Sequence, residues 1–182
     1  GEEMKHAATL LILICIGTSL VFSSSTLELK TDCASAISLF GETIPLRIEA
    51  QLELSDEFGL MLPVEMTAEK GRDQPIYLET GLFLAYRPFS KEATIYASLI
   101  QMGILFERRY GEQRTFFLNE VGFGHTFRFP FGLLIEPRIT IKDPNSIFKN
   151  DYQELKDAFS SYPMIRFALY GGWSFTLPSA IH

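Results

Sequence analysis

Every second residue from Leu46 to Leu54 is apolar: Leu46, Ile48, Ala50, Leu52 and Leu54. The residues between them are Arg47, Glu49, Gln51 and Glu53. Successive side chains of a β-strand point to opposite faces, so this segment reads as a strand with very different surroundings on its two sides. The same pattern recurs along most of the chain. The chain therefore has to build a sheet with one greasy face and one charged face, and the question becomes which face is buried.

Seven strands are read from alternation, at about 44–55, 59–68, 76–87, 93–109, 115–129, 131–142 and 164–177. In the third, Leu78, Thr80, Leu82, Leu84 and Tyr86 oppose Glu79, Gly81, Phe83, Ala85 and Arg87. In the fifth, Phe117, Val121, Phe123, Phe127 and Phe129 oppose Leu118, Glu120, Gly122, Gly124, Thr126 and Arg128. In the sixth, Leu133, Ile135, Pro137, Ile139 and Ile141 oppose Leu134, Glu136, Arg138, Thr140 and Lys142. The segment 93–109 is the least regular. A soluble sandwich shows a scattered polar face to water. Here the polar face mixes glycines with both signs of charge on nearly every strand, and the apolar face carries large residues. That combination predicts a narrow barrel turned inside out, with lipid outside and charges and small residues within. A soluble calyx or sandwich is the competing architecture.

Connection lengths then set the strand count. The links at 55–58, 88–92 and 129–132 are short, and those at 69–75, 110–114 and 143–163 separate them, the last being the longest. Single-chain bacterial barrels have an even number of strands, short periplasmic turns and longer outer loops. With the short links and the C-terminus in the periplasm, the strand near Ile44 must be preceded by another. Leu27, Leu29, Thr31 and Cys33 alternate with Glu28, Lys30 and Asp32, so 26–40 supplies it. The expected fold is all-β: an eight-stranded antiparallel up-and-down transmembrane barrel. One short helix is expected at 150–162, where Tyr152, Leu155, Ala158 and Phe159 recur at helical spacing.

The N-terminal segment reads as a targeting signal. Met4-Lys5-His6 precedes an apolar stretch of 16 residues, Ala7 to Phe22, and then Ser23, Ser24 and Ser25. A spanning helix needs about 20 residues, so 1–25 is expected to be a cleaved signal peptide, with a possible start artefact at 1–3. Residues 26–182 then form one barrel domain. Cys15 follows Ile14, not the small residue that lipid attachment needs. The formal net charge is -6, and removing 1–25 takes away Lys5, Glu2 and Glu3 and leaves a mildly acidic chain. Nucleic-acid binding, which leaves a basic footprint, is not expected. Cys33 then stands alone, so no intrachain disulfide is expected.

With this pattern over about 26–177, the chain resembles small outer-membrane barrels of the OmpX/OmpW type. The sharpest local likeness is Gly172-Trp173-Ser174-Phe175-Thr176-Leu177. It resembles the C-terminal signal read by the barrel-assembly machinery, with Gly172, Phe175 and Leu177 at its key positions. In the family the chain usually stops at an aromatic residue, whereas here Pro178-Ser179-Ala180-Ile181-His182 follows. The resemblance implies an outer-membrane location. Its implied partners are outer-membrane lipids, the assembly machinery and a small hydrophobic ligand.

Candidate functional residues fall into two groups. Arg47, Glu49, Glu79, Arg87, Glu120, Arg128, Glu136, Arg138 and Arg166 lie on the polar face, where a selective pore would use them. An eight-stranded barrel is just wide enough for side chains to fill, so a network of paired charges is the stronger expectation. Tyr152, Leu155 and Phe159 on the predicted loop helix form a candidate hydrophobic site at the outer mouth. Tyr77, Tyr86, Tyr110, Phe117, Phe127, Phe129, Trp173 and Phe175 fall near predicted strand ends, as interfacial girdles would. No catalytic, metal or cofactor site is expected. Barrels that act on lipid A can carry a His-Ser-Glu set, but Phe127 stands where His125 would need its serine. The functions expected are binding or passing a small hydrophobic molecule, or a surface-exposed structural or adhesive role. The alternatives are a soluble periplasmic lipid-binding barrel and a lipid-modifying barrel enzyme.

Overall fold

The computed structural model describes residues 26–34, 43–69, 75–107, 112–159 and 162–177. The expected signal segment 1–25 lies outside the described residues. Ten strand segments follow one another: β1 (Thr26–Asp32), β2 (Thr43–Glu53), β3 (Phe58–Glu69), β4 (Ile76–Tyr86), β5 (Ala93–Glu107), β6 (Glu112–Phe117), β7 (Glu120–His125), β8 (Phe127–Arg128), β9 (Leu133–Lys142) and β10 (Ile165–Thr176). One helix, α1 (Lys149–Ala158), sits in the longest connection. All neighbouring strands pair antiparallel, and β1 pairs with both β2 and β10, from Thr26↔Thr176 to Asp32↔Tyr170. The sheet therefore closes on itself and leaves no free first or last strand.

The ten segments make eight staves, because β6, β7 and β8 are successive pieces of one. β6 pairs with the upper half of β5 and β7 with the lower half. The break falls at Leu118 and Asn119. There the Glu120 amide donates to the Ser98 hydroxyl at 2.8 Å instead of to a backbone carbonyl. Opposite it, Leu99 and Ile100 both face outward, and the β4–β5 register slips between Leu82 and Phe83. A bulge of this kind admits an extra residue and sharpens the twist. It is the physical source of the irregular alternation over 93–109.

Other ends differ slightly from the sequence reading. Residues 131–132 belong to a 3-10 turn, Pro130–Gly132, because Pro130 has no N–H for a ladder and Phe131 adopts φ 64°. Among the described residues the first strand ends at Asp32; the rest of the segment expected there, 35–40, lies outside them. The 54–57 turn is held by Ser55, whose Oγ accepts from the amides of Glu57 at 3.3 Å and Phe58 at 3.0 Å.

Each stave presents the faces its alternation implies. Leu29, Leu46, Ile48, Leu62, Val64, Leu78, Phe123, Phe167, Leu169 and Trp173 project outward and are exposed. Glu28, Lys30, Arg47, Glu49, Glu65, Glu79, Glu136 and Arg138 project inward and are buried. The usual arrangement of a soluble protein, with apolar groups inside, is inverted.

The charged lumen and the outer mouth

The lumen is filled by ion pairs stacked from the short-turn end to the loop end. At the bottom, Arg128 donates to Glu28 at 2.6 Å and to Glu53 at 3.1 Å, and Arg87 lies 3.0 Å from Glu53. One layer up, Glu136 is the hub. It accepts from Lys30 at 2.6 Å, Arg138 at 2.7 Å, the Tyr96 hydroxyl at 2.9 Å and the Thr126 hydroxyl at 3.0 Å. The Arg138 guanidinium is sandwiched between the rings of Tyr96 and Tyr170, at 4.0 and 4.2 Å from their centroids. It also donates to Glu49 at 2.8 Å. Arg47 comes next. It donates to Glu49 at 2.8 Å, to Glu65 at 3.2 Å and to both oxygens of Glu120 at 3.0 and 3.2 Å. Arg166 bridges Glu65 and Asp32 across the upper lumen.

Above these lies a smaller cluster. Lys142 sits 3.2 Å from Glu79, which also accepts from Gln101 and, at 2.7 Å, from the Tyr162 hydroxyl. Burial, with Glu79 close by, pushes the Tyr162 phenol well above its ordinary range, so it stays a neutral donor. The inward-facing cations Lys30, Arg47, Arg87, Arg128, Arg138 and Lys142 each have a carboxylate within 3.2 Å. An uncompensated charge at these depths would cost several kcal/mol, roughly, which is why pairing is so thorough.

The glycines of the inner face make room for these groups. A Cβ on Gly103 would stand 2.1 Å from the Tyr77 hydroxyl, and one on Gly124 would stand 2.5 Å from Glu136. Tyr77 on β4 and Glu136 on β9 lie over the neighbouring staves because these positions are bare.

The loop end is closed by α1. Its inner stripe, Tyr152 and Leu155, continues into Phe159 and packs with Tyr77, Leu105, Phe116, Leu118 and Tyr162 in one buried cluster. Asp151 accepts from the Phe117 amide at 2.9 Å, so the helix start is tied to the last residue of β6, beside the break in that stave. The Tyr152 hydroxyl donates to the Pro163 carbonyl at 2.9 Å. Asp151 in the first turn and Lys156 in the last suit the helix dipole.

Of the nine charges singled out from sequence, Arg47, Glu49, Glu79, Arg87, Glu120, Glu136 and Arg138 are buried in this interior, Arg166 is half-buried at its upper end, and Arg128 stands exposed at its lower rim. The pattern also carried Glu28, Lys30, Asp32, Glu65 and Lys142 at the right parity, and Tyr96 and Tyr170 by position. Nothing in the alternation signalled the stacking of Arg138 between the two rings. Tyr152, Leu155 and Phe159 are buried at the loop end, packed against Tyr77, Leu105 and Phe116. Gly172 lies at the closing seam between Lys30 and Leu134, with Phe175 and Leu177 exposed on the outer face. His125 also sits on the outer face, its ring edge-on to Phe127 with centroids 4.8 Å apart. No cluster able to hold a metal occurs among the described residues.

A closed eight-stave antiparallel barrel, apolar outside and ion-paired inside, is the architecture of the small outer-membrane barrels. A solved structure with a TM-score above 0.5 agrees at the level of fold. The N-terminal β-barrel domain of Pseudomonas aeruginosa OprF aligns with a TM-score of 0.51 at 11% identity, covering 84% of this chain and 98% of that one. The Yersinia pestis outer-membrane protein Ail in a phospholipid nanodisc aligns at 0.47 and 12% identity, covering 85% of this chain and 100% of its own. No protein-family model and no curated protein sequence matches the chain.

Proposed function

We propose that this chain is an integral outer-membrane β-barrel, delivered by its N-terminal signal and inserted by the barrel-assembly machinery through Gly172, Phe175 and Leu177. On this reading it carries no enzyme chemistry, and its role is played at the cell surface by the loops around α1. One observation carries the proposal. Each of the eight staves carries large exposed apolar side chains on its outer face, and the charges that face inward are paired. Water would leave that outer face unstable, since apolar area exposed to it costs about 25 cal/mol per Å². A bilayer reverses the balance, because the closed ladder satisfies the backbone groups internally.

The packed lumen favours a structural, adhesive or binding role over a diffusion pore. A small hydrophobic molecule remains the ligand class this mouth suits, since Tyr77, Leu105 and Phe116 form an apolar floor. It would have to displace Tyr152, Leu155 and Phe159 from that floor. The soluble periplasmic barrel is disfavoured by the same outward belt. The test is gel mobility of detergent-extracted protein with and without boiling, together with an epitope tag at Asn150. The folded form is expected to migrate faster than the boiled one, and the tag to bind antibody on intact cells. A single mobility, with the protein in the soluble periplasmic fraction, would sink the proposal.

A further inference from the structure

A tyrosine from the longest connection occupies a place built like a ligand site. Tyr162 follows α1, and its amide donates to the Phe159 carbonyl at 3.0 Å. Its ring is buried, edge-on to Tyr77 with centroids 5.8 Å apart and tilted against Tyr152 at 5.4 Å. Its hydroxyl donates to Glu79 at 2.7 Å and accepts from the Lys142 ammonium at 2.8 Å. The same ammonium lies 4.3 Å from the centre of the ring. Aromatic walls, one acceptor, one donor and a cation over the ring are together what recognises a phenol. Most of these groups belong to the barrel and not to the loop. Tyr77 and Glu79 stand on β4, Gln101 on β5 and Lys142 on β9, so the ladder sets their positions. Glu79 and Lys142 pair directly at 3.2 Å, so departure of Tyr162 isolates neither charge. Two further polar atoms on the same wall, the Tyr77 hydroxyl and the Gln101 amide oxygen, are buried without a partner among the described residues. The wall therefore has more polar capacity than Tyr162 uses.

We propose that this is a binding site for small phenols, in which Tyr162 is the resident stand-in, and that a phenol entering at the loop end takes its place and releases α1. The proposal rests on the mouth-ligand reading above and narrows it from hydrophobic molecules in general to aromatic hydroxy compounds. A bare hydrocarbon would leave the polar atoms of Glu79 and Lys142 that Tyr162 now bonds without that partner, and a site built around a hydroxyl rejects the analogue lacking it. The hold on α1 suits release. The helix has 10 residues, a length that is marginal in water without packing. Beyond its apolar stripe it is tied to β6 by the Asp151 contact to Phe117 and by an ion pair between Arg114 and Glu154. Both members of that pair are about half-exposed, and such pairs hold weakly.

The test uses the full barrel folded into phosphatidylcholine vesicles, with 4-ethylphenol as the probe and ethylbenzene, the same shape without the hydroxyl, as its comparator. Lys149 and Lys156 are exposed on α1, and trypsin cuts them only when the helix unwinds. In the unaltered chain, 4-ethylphenol is expected to speed cleavage at these two lysines several-fold and saturably, and ethylbenzene at equal membrane concentration to leave it unchanged. Tyr162→Ala vacates the position, and calorimetry should find that it binds 4-ethylphenol roughly ten-fold or more tightly than it binds ethylbenzene. Equal acceleration by the two probes, or equal binding of both to Tyr162→Ala, would overturn the phenol site and leave the broader hydrophobic-ligand reading standing. No acceleration by either probe in the unaltered chain would overturn the exchange, whatever the variant binds. That arm decides the question alone if Tyr162→Ala gives no fast-migrating unboiled band. A single gel mobility for the unaltered chain would instead overturn the membrane reading, and the site with it.

Discussion

Arg47 shows how one residue can organise the lumen. It is almost wholly buried and touches three carboxylates on three different staves, Glu49, Glu65 and Glu120. Its planar fork grips Glu120 with two parallel bonds, a geometry lysine cannot copy. Arg47→Met would leave three buried carboxylates short of a partner and is expected to cost about 3–5 kcal/mol. Arg47→Lys should cost less but should not restore the wild-type value. Urea titrations of the barrel folded into vesicles measure both, and an unchanged midpoint for Arg47→Met would refute the idea that these pairs hold the barrel together. A second contrast compares the two faces. Leu82 points outward on β4, and a cation there is expected to cost about 2–4 kcal/mol if it faces the bilayer midplane. Glu79 points inward as the carboxylate of Lys142 and the acceptor of Tyr162. Glu79→Gln should therefore be of similar cost to Leu82→Arg, because it strands a buried ammonium. A harmless Leu82→Arg would contradict the lipid-facing assignment.

Among the elements, the seam between β1 and β10 decides whether the sheet is a barrel or an open ribbon. Seven residue pairs join the two strands, and Gly172 sits opposite Lys30 within that ladder. A Cβ at Gly172 would stand 2.1 Å from the Leu29 carbonyl and 2.9 Å from the Lys30 Cα. Both are backbone atoms, so no side-chain rotation relieves the clash. Gly172→Ala is expected to abolish the fast-migrating folded band on unboiled gels. Gly59→Ala, whose Cβ would stand 3.0 Å from the Leu52 carbonyl, should keep most of it. Equal folding of the two variants would show that the seam opens enough to admit a methyl group. The composite stave of β6, β7 and β8 is the other element with a distinct character. Its break at Leu118 and Asn119 leaves β6 above the end of β9, and α1 covers that region with the Asp151 contact to Phe117. A helix therefore completes the wall where the ladder stops.

For the molecule as a whole, a lumen packed with paired long side chains leaves little room for water. Eight staves give an interior that side chains alone can fill. Bulk ion flow is expected to be small, and planar-bilayer recordings on the purified protein test it. Large, steady conductance of the size seen in wide porins would mean that the ion-paired column rearranges in the membrane. Conductance that rises only in Arg47→Met would instead locate the barrier at that layer.

What the sequence determined by itself follows from local geometry. Alternation with a period of two is a property of extended backbone, so the inward position of Glu79, Arg138 or Arg166 and the outward position of Leu82 or Phe167 could be read residue by residue. The eighth strand followed from the lengths of the connections, and α1 from the spacing of Tyr152, Leu155 and Phe159. Which inward charges meet was decided only by the tertiary structure. Lys30 pairs with Glu136 across 106 residues, and Arg166 reaches Glu65 across 101. Those meetings depend on strand stagger and on distances across the lumen, which no local pattern encodes. The bulge opposite Leu118 likewise depends on fitting β5 to two partners at once. The mouth is filled because Tyr152, Leu155 and Phe159 find Tyr77, Leu105 and Phe116 beneath them, and that apolar floor exists only once the barrel has closed.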